Sequence, residues 1–243
     1  MILIVILQLT LVVFVHELGH YIFARLSGVQ VLSFNIGFGP VVWSRERGGT
    51  EYTLRLIPLG GYVRLAGLDE SARKVPKAQT YQGQSVFRRF EITVGGALAN
   101  ILFAWLIFYG FLVWREGIFL TGIYKSFYVL LGMLLDIVRS IRALFTGLTG
   151  LSGPVGIVAA SVLAARNGAV PFLLFTALLS ANLGIFNLLP FPALDGGRLI
   201  FLLYELLFRR KPNPALERWV HALGFLILFG LIVLVSIQDL IKL

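Results

Sequence analysis

The chain has 243 residues and contains no cysteine, which excludes a disulfide scaffold and a metal site built from thiolates. Hydrophobic residues make up 58% and charged residues only 14%, which excludes an ordinary soluble domain and predicts a single integral membrane domain. We interpret the net charge of +9 as the excess of basic residues on the cytoplasmic side of a membrane protein. We therefore expect the lipid bilayer as a partner, and no nucleic acid.

The first predicted transmembrane helix, residues 1–26, carries a cluster of ionisable groups. Its sequence includes Val15-His16-Glu17-Leu18-Gly19-His20-Tyr21. On a helix, His16 and His20 lie on one face and can bind one metal ion, while Glu17 lies one step round and can act as a general base toward a water. Ionisable groups are costly in a membrane helix, so we interpret them as a functional site rather than as packing histidines.

The next predicted segment, residues 27–90, is a small β region. Apolar and polar residues alternate there and are punctuated by glycine and proline, as in Gly37-Phe38-Gly39-Pro40, which predicts short strands and hairpins. Two alternatives remain at this stage. The region is either an ordinary cytoplasmic hairpin or a sheet that dips beside the metal site, where an exposed strand can pair with an extended peptide.

Residues 91–114 form the second predicted transmembrane helix. It opens with small residues that allow close helix approach, and Asn100 follows them, either as a bridge between helices or as a group near the site. Residues 122–168 are predicted to be interfacial. Their charged residues Asp136 and Arg139 recur three apart among apolar ones, which favours an amphipathic helix over a transmembrane one.

The third predicted transmembrane helix, residues 169–208, is interrupted by Pro190, Pro192 and Asp195-Gly196-Gly197. Peptide groups freed by such a break need partners, so the break is expected to line a cavity. Asp195 is then the best candidate for a third metal ligand, the alternative being an ordinary turn aspartate.

Residues 217–241 form the last predicted transmembrane helix, in which we interpret His221 as structural or interfacial. The predicted fold is an all-α membrane protein with a small membrane-associated β region, four transmembrane helices and an interfacial amphipathic helix. Basic residues concentrate in the two loops that follow the first and third transmembrane helices. Both loops are expected to be cytoplasmic, so the metal site lies toward the cytoplasmic side.

The candidate ligands are two histidines and a carboxylate, a set that suits zinc with one coordination position left for water. Two other classes use similar residues. A metal transporter or sensor needs several sites along a path, whereas the sequence shows a single cluster. A scaffold that binds membrane proteins without cleaving them does not need Glu17.

These motifs resemble the site-2 protease family of intramembrane zinc metalloproteases. The resemblance covers nearly the whole chain and lies in His16 to His20, Gly37 to Gly39, Pro58 to Val63, Gly96 to Asn100, Ser152 to Gly156 and Asn187 to Gly197. It implies that His16, His20 and Asp195 bind zinc and that Glu17 is catalytic. Candidate substrate-binding residues are Asn187, Asn100, Gly37 and Gly39.

The resemblance further implies a multi-pass protein of the bacterial inner membrane that performs regulated intramembrane proteolysis. Its substrates are then single-span membrane proteins, such as anti-sigma factors or signal-peptide remnants. Two departures stand out. Ala97 occupies a position where the family usually has proline, and only residues 117–125 stand where bacterial members insert one or two PDZ domains. The chain is therefore either a natural member without PDZ domains or one from which they were removed.

Overall fold

The computed structural model describes residues 1–68, 75–117, 119–144 and 153–242. In chain order its main elements are α1 (Ile2–Leu26), β1 (Val31–Arg47), β2 (Thr50–Leu65), α2 (Val86–Glu116), α3 (Leu120–Leu144), α4 (Pro154–Arg166), α5 (Ala169–Leu188), α6 (Asp195–Phe208) and α7 (Pro214–Lys242). Residues 69–74 of the predicted β region and residues 145–152 of the predicted interfacial region, including Ser152 of the resemblance, lie outside the described residues.

The described part of the chain contains five helices that are long and apolar enough to cross a membrane, namely α1, α2, α3, α5 and α7. The prediction of a mainly helical membrane protein is confirmed, but the count of four transmembrane helices is not. The additional candidate is α3, predicted as interfacial. Its Leu130 and Ile137 are buried against α2 and α5, whereas Asp136 and Arg139 form an exposed ion pair at 2.9 Å. In α3 the charged pair therefore lies on the exposed face, and the opposite face packs against α2 and α5.

The β region consists of two strands, β1 and β2, joined as a hairpin, and they pair in several short segments rather than along their whole length. Gly48 and Gly49 form the hairpin turn, both with positive φ. Gly37, Gly39 and Gly60 also have positive φ, and the register between the strands shifts around them. The glycines that indicated separate short strands therefore mark irregularities within two continuous ones.

The sheet packs against the C-terminal half of α1. Phe34 of β1 makes edge-on ring contacts with Phe14 and Tyr21 of that helix, with centroids 5.7 and 5.5 Å apart. Residues 33–36 of β1 pair with residues 61–64 of β2 on one side and with residues 51–54 on the other. This curled sheet brings the end of β2 beside the helical turn that carries the histidines.

Small residues allow α1, α2 and α5 to approach closely. A Cβ on Gly19 of α1 would collide with the carbonyl oxygen of Gly95 in α2, and one on Gly184 of α5 would lie 2.9 Å from the carbonyl oxygen of Ala97. Such backbone contact is the usual way for membrane helices to pack tightly. It places the histidine turn of α1 directly against the first half of α2.

Buried polar contacts tie further helices to this group. Gln8 of α1 donates to Thr176 of α5 at 2.8 Å. Arg89 of α2 makes a two-pronged ion pair with Glu205 of α6, at 2.6 and 2.9 Å. Bidentate pairs of this kind fix orientation as well as distance. The pair therefore fixes α6, whose first residue is Asp195, against α2.

Candidate active site

The three predicted metal ligands meet at one point. Nε2 of His16 and Nε2 of His20 lie 3.2 Å apart, and each lies 3.1 Å from Oδ2 of Asp195. The histidines come from adjacent turns of α1, and Asp195 begins α6 directly after the helix break. Among the described residues, this is the group of histidine and acidic side chains close enough to share one ion.

The geometry of this triangle fits zinc. Ligand atoms about 2.0–2.1 Å from a tetrahedral zinc ion stand roughly 3.3 Å from one another, close to the edges observed here. His20 uses Nδ1 to donate to the carbonyl oxygen of Ile92 at 2.8 Å. In that tautomer Nε2 carries a lone pair, as a metal ligand requires. Three atoms that can each offer a lone pair thus converge, and such a set fits a cation and leaves room for a fourth ligand.

Glu17 lies beside this triangle and contacts β2. The backbone amide of Val63 hydrogen bonds to its carboxylate, and a Cβ on Gly61 would lie 3.5 Å from its Cγ. The glycine therefore lets the strand approach the glutamate closely, while the amide fixes the direction of the carboxylate. Of the two alternatives left open for the β region, the structure shows the sheet beside the site.

These residues line a cavity of about 730 Å³ between the helices and the sheet. A volume of this order is typical of a binding cleft. Six elements contribute to it, α1, β2, α2, α5, α6 and α7, through residues that include His16, Glu17, His20, Gly61, Tyr62, Val63, Thr93, Asn187, Asp195, Arg198 and His221. A peptide segment that enters the cavity would contact the carboxylate of Glu17, the metal ligands and the edge of β2 together.

The two predicted asparagines have different positions. Asn187 lines the cavity, and its Nδ2 donates to the carbonyl oxygen of Leu183 at 3.0 Å, so one amide hydrogen is left for another acceptor. Asn100 is fully buried between α2 and α5, and its backbone carbonyl oxygen accepts from the hydroxyl of Ser180 at 2.9 Å, while its side-chain amide makes no hydrogen bond within the described residues. The predicted substrate contact of Asn100 stays a prediction, since this residue lies at the helix interface and does not line the cavity.

The predicted role of Gly37 and Gly39 in binding substrate also stays a prediction, which the lining of the cavity does not support. Both lie on β1 and do not line the cavity. A Cβ on Gly37 would lie 2.5 Å from the carbonyl oxygen of Ile57, so this glycine allows close contact within the sheet. The strand that faces the site is β2, at Gly61 to Val63. The signal for it was present in the sequence, in the Pro58 to Val63 motif.

His221 was predicted as structural or interfacial, yet it lines the cavity and supports the helix break. Its Nδ1 accepts the backbone N–H of Ala193 at 3.1 Å. Ala193 has φ of +77°, which a non-glycine residue adopts only when its surroundings hold it there. His221 thus stabilises the turn that delivers Asp195. Sequence reasoning missed this because the contact joins residues on two different helices.

Two substitutions at His221 distinguish the role of its Nδ1 from that of its Nε2. Asn places an acceptor near the position of Nδ1, whereas Gln extends to the position of Nε2. We expect H221N to retain most zinc affinity, and H221Q to weaken it roughly tenfold, because the ligand turn loses its support. Equilibrium zinc titration of both variants checks this. Equal zinc affinity in the two variants would contradict a positioning role for Nδ1.

Gly96 of α2 leaves the space that the histidines occupy. A Cβ at this position would lie 2.5 Å from Nε2 of His20 and 2.8 Å from Nε2 of His16. We therefore expect G96A to lower zinc affinity at least about tenfold by displacing both imidazoles. Gly110 is the matched control, since it lies in the same helix and a Cβ there meets nothing within 4 Å. Zinc titration and thermal unfolding of both variants separate loss of the site from loss of the fold.

The sequence of this chain also matches a known peptidase family and several named relatives. The sequence profile of peptidase family M50 matches residues 4–231. The chain belongs to peptidase family M50. A relative from Clostridium perfringens is 27% identical, with 97% of each chain covered. One from Helicobacter pylori is 29% identical, covering 93% of this chain and 96% of the relative. A third, from Thermotoga maritima, is 44% identical over 120 residues, which are 49% of this chain and 24% of the relative. All three carry the name "putative zinc metalloprotease".

Membership of family M50 confirms the resemblance to site-2 proteases and the predicted enzyme class, a metalloendopeptidase. The cofactor prediction of zinc is confirmed as well. The alignment with the Clostridium relative runs over 327 residues, against 243 in this chain. The relative therefore contains segments without a counterpart here, comparable in length with a small domain. In this M50 peptidase, α2 ends at Glu116 and α3 begins at Leu120, so no PDZ domain stands between them.

Proposed function

We propose that this protein hydrolyses peptide bonds in or near the transmembrane segments of single-span membrane proteins. The observation that carries the proposal is the position of the site: Glu17 and the two histidines lie within an apolar helix long enough to cross a membrane, and Asp195 joins them from a helix break. A soluble peptidase has no need to place these groups in such a helix. The relatives' name supports zinc as the metal held by His16, His20 and Asp195.

The chemistry divides between the metal and the chain. When bound, zinc polarises the scissile carbonyl and makes a water more acidic. Glu17 accepts the proton of the attacking water and returns it to the leaving amine. The amide of Val63 keeps the carboxylate of Glu17 directed into the cavity. The unused amide hydrogen of Asn187 is the candidate donor to the oxygen on which negative charge develops.

A transmembrane substrate must unwind before it is cut, because a helix hides its carbonyl groups in internal hydrogen bonds. The edge of β2 supports this step. Val63 directs its N–H out of the sheet toward Glu17, and alternate residues of an antiparallel strand direct their backbone groups to the same side. Gly61, two residues earlier, is then able to pair with an extended substrate segment. Such pairing would hold the scissile bond beside Glu17.

We place the protein in the bacterial inner membrane, with the site toward the cytoplasm, because the loops rich in basic residues flank the site. In this arrangement α3 rests at the interface and four helices cross. Regulated proteolysis of anti-sigma factors or removal of signal-peptide remnants are the physiological reactions that suit such a site. The bilayer itself is then an obligatory partner.

The test uses purified protein in liposomes with a model single-span protein whose transmembrane segment contains a Gly-Pro pair. The matched substrate replaces that pair by Leu-Leu, which keeps the segment helical. We expect cleavage of the first substrate, at least about tenfold slower cleavage of the second, and loss of both with a chelator, restored by zinc. Cleavage restricted to soluble regions of the substrate, or undiminished by the chelator, would contradict the proposal.

A further inference from the structure

A second cavity, of about 560 Å³, lies between the hairpin and the end of α1 and shares no lining residue with the cavity of the metal ligands. Its lining is basic and aromatic, and is formed mainly by Tyr21, Arg25, Trp43, Arg45, Arg47 and Tyr52. None of these residues except Tyr21 belongs to the helical turns that carry the peptidase motif.

The strand pattern separates opposite charges to the two faces of the hairpin. Trp43, Arg45 and Arg47 alternate with Ser44 and Glu46, so the arginines share one face of β1 and the glutamate lies on the other. Across the ladder Arg45 stands opposite Tyr52, and Glu46 stands opposite Glu51. The side chains of Arg45, Arg47 and Tyr52 therefore line the cavity, while Glu46 and Glu51 lie on the opposite face of the hairpin.

The arginines of this cavity keep their charge available for a ligand. Within the described residues, Arg25, Arg45 and Arg47 form no ion pair with a carboxylate. Arg25 reaches the cavity from the last turn of α1, one helical turn after Tyr21. Three guanidinium groups from two elements thus surround one space, an arrangement that suits a phosphate group.

Hydrogen bonds hold the cavity walls in position. The hydroxyl groups of Tyr21 and Tyr52 lie 2.6 Å apart, which joins the helix to the hairpin. This hydrogen bond raises the pKa of Tyr52, so the phenol stays protonated, and of the two O–H groups of the pair one remains for a ligand. At the hairpin tip, Gln30 donates to the carbonyl oxygen of Gly49 at 2.6 Å. The basic face is therefore organised before any ligand arrives.

The surroundings point to a lipid rather than a soluble anion. Arg25 ends a helix that is long and apolar enough to cross a membrane, so the cavity lies where that helix leaves the bilayer. On the adjoining part of β1, Val41, Val42 and Trp43 expose 52, 62 and 52% of their surface. An exposed tryptophan next to basic residues is typical of the lipid headgroup region. Acyl chains would lie along this apolar surface while the phosphate enters the cavity.

We propose that this cavity binds the phosphate headgroup of an anionic phospholipid and so fixes the hairpin to the membrane surface beside the active site. Arg25, Arg45 and Arg47 neutralise the headgroup, and the Tyr21–Tyr52 pair donates to its oxygens through the one O–H group that its own hydrogen bond leaves free. A lipid bound here holds the turn end of the hairpin, and β2, which starts at that turn, continues to the stretch that faces Glu17.

The experiment measures lipid binding by native mass spectrometry of the whole chain in detergent, with phosphatidylglycerol and phosphatidylcholine of identical acyl chains as probes. The test variant is R45Q/R47Q. The control is R209Q/R210Q, which makes the same change in net charge at two exposed arginines of a distant turn. R45K/R47K retains the charge but not the forked geometry. Thermal unfolding of each variant confirms that the fold is kept.

We expect phosphatidylglycerol to bind the unmodified protein and the control equally, and R45Q/R47Q at least about tenfold more weakly, with the lysine variant between them. Equal binding to R45Q/R47Q and the control would overturn the proposal, as would equal affinity for phosphatidylcholine. Displacement of the lipid by millimolar inorganic phosphate or by a polyglutamate peptide would assign the cavity to a soluble anion or an acidic protein instead. The readout is lipid mass, so it is independent of peptidase activity.

Discussion

Replacement of Glu17 by glutamine is expected to reduce peptide hydrolysis at least about 1,000-fold while zinc stays bound. A general acid and base contributes roughly 100- to 10,000-fold to a rate, and Gln keeps the size of the side chain but cannot carry the proton. Because the carboxylate does not belong to the ligand triangle, the zinc content should remain that of the unmodified protein. Single-turnover cleavage and zinc analysis of the same preparation check both halves of this expectation.

The matched control for Glu17 is Glu46→Gln. Glu46 is an exposed glutamate of β1 that lines neither cavity. Its replacement makes the same chemical change and is expected to leave the cleavage rate within about twofold, since surface substitutions of this kind have small effects. If E17Q cleaved the model substrate as fast as E46Q, the role of Glu17 as the base would be refuted.

Replacement of Asp195 by asparagine is expected to remove zinc and activity together. The amide oxygen is a weaker ligand than a carboxylate and leaves the charge of the cation uncompensated. Loss even of an outer-shell partner costs about 10- to 100-fold in metal affinity, so loss of this ligand should cost at least about 100-fold. Zinc titration against a competing chelator measures the affinity, and added zinc should restore part of the cleavage.

Asp239→Asn is the matched control for Asp195. Asp239 is a buried aspartate, whereas Asp195 is half-buried, and it lies near the C-terminal end of α7, where it accepts the backbone N–H of Gly156 at 2.9 Å. Its substitution should lower thermal stability without changing the zinc affinity, because it is remote from the triangle. A zinc affinity equally reduced in D239N and D195N would indicate a general loss of packing rather than loss of a ligand.

Much of the site follows from the sequence because its residues obey short-range rules. Helical spacing alone places His16 and His20 on one face, and the proline and glycine residues around Asp195 indicate an interrupted helix. Length and apolar composition likewise predict where α1, α5 and α7 lie to within a few residues. These features depend on local geometry, so no knowledge of neighbouring elements is needed.

The remaining features depend on contacts between distant segments. The contact of His221 with Ala193 requires the path of α7, and the placement of β2 beside Glu17 requires the curl of the sheet. The position of Asn100 likewise could not be predicted from local sequence. A polar residue in a membrane helix indicates a special role, yet only the packing of α2 against α5 shows that Asn100 lies beside Gly184 of α5 and does not line the cavity.

Zinc K-edge X-ray absorption spectroscopy of the purified protein tests the central claim most directly, because it reports the atoms around the metal. We predict one zinc per chain, with two imidazole nitrogens at about 2.0–2.1 Å, carboxylate and water oxygens at about 2.0–2.2 Å, and no sulfur. The oxygen contribution should change in D195N and not in D239N. A spectrum without imidazole scattering, or one that is identical in D195N, would contradict the site described here.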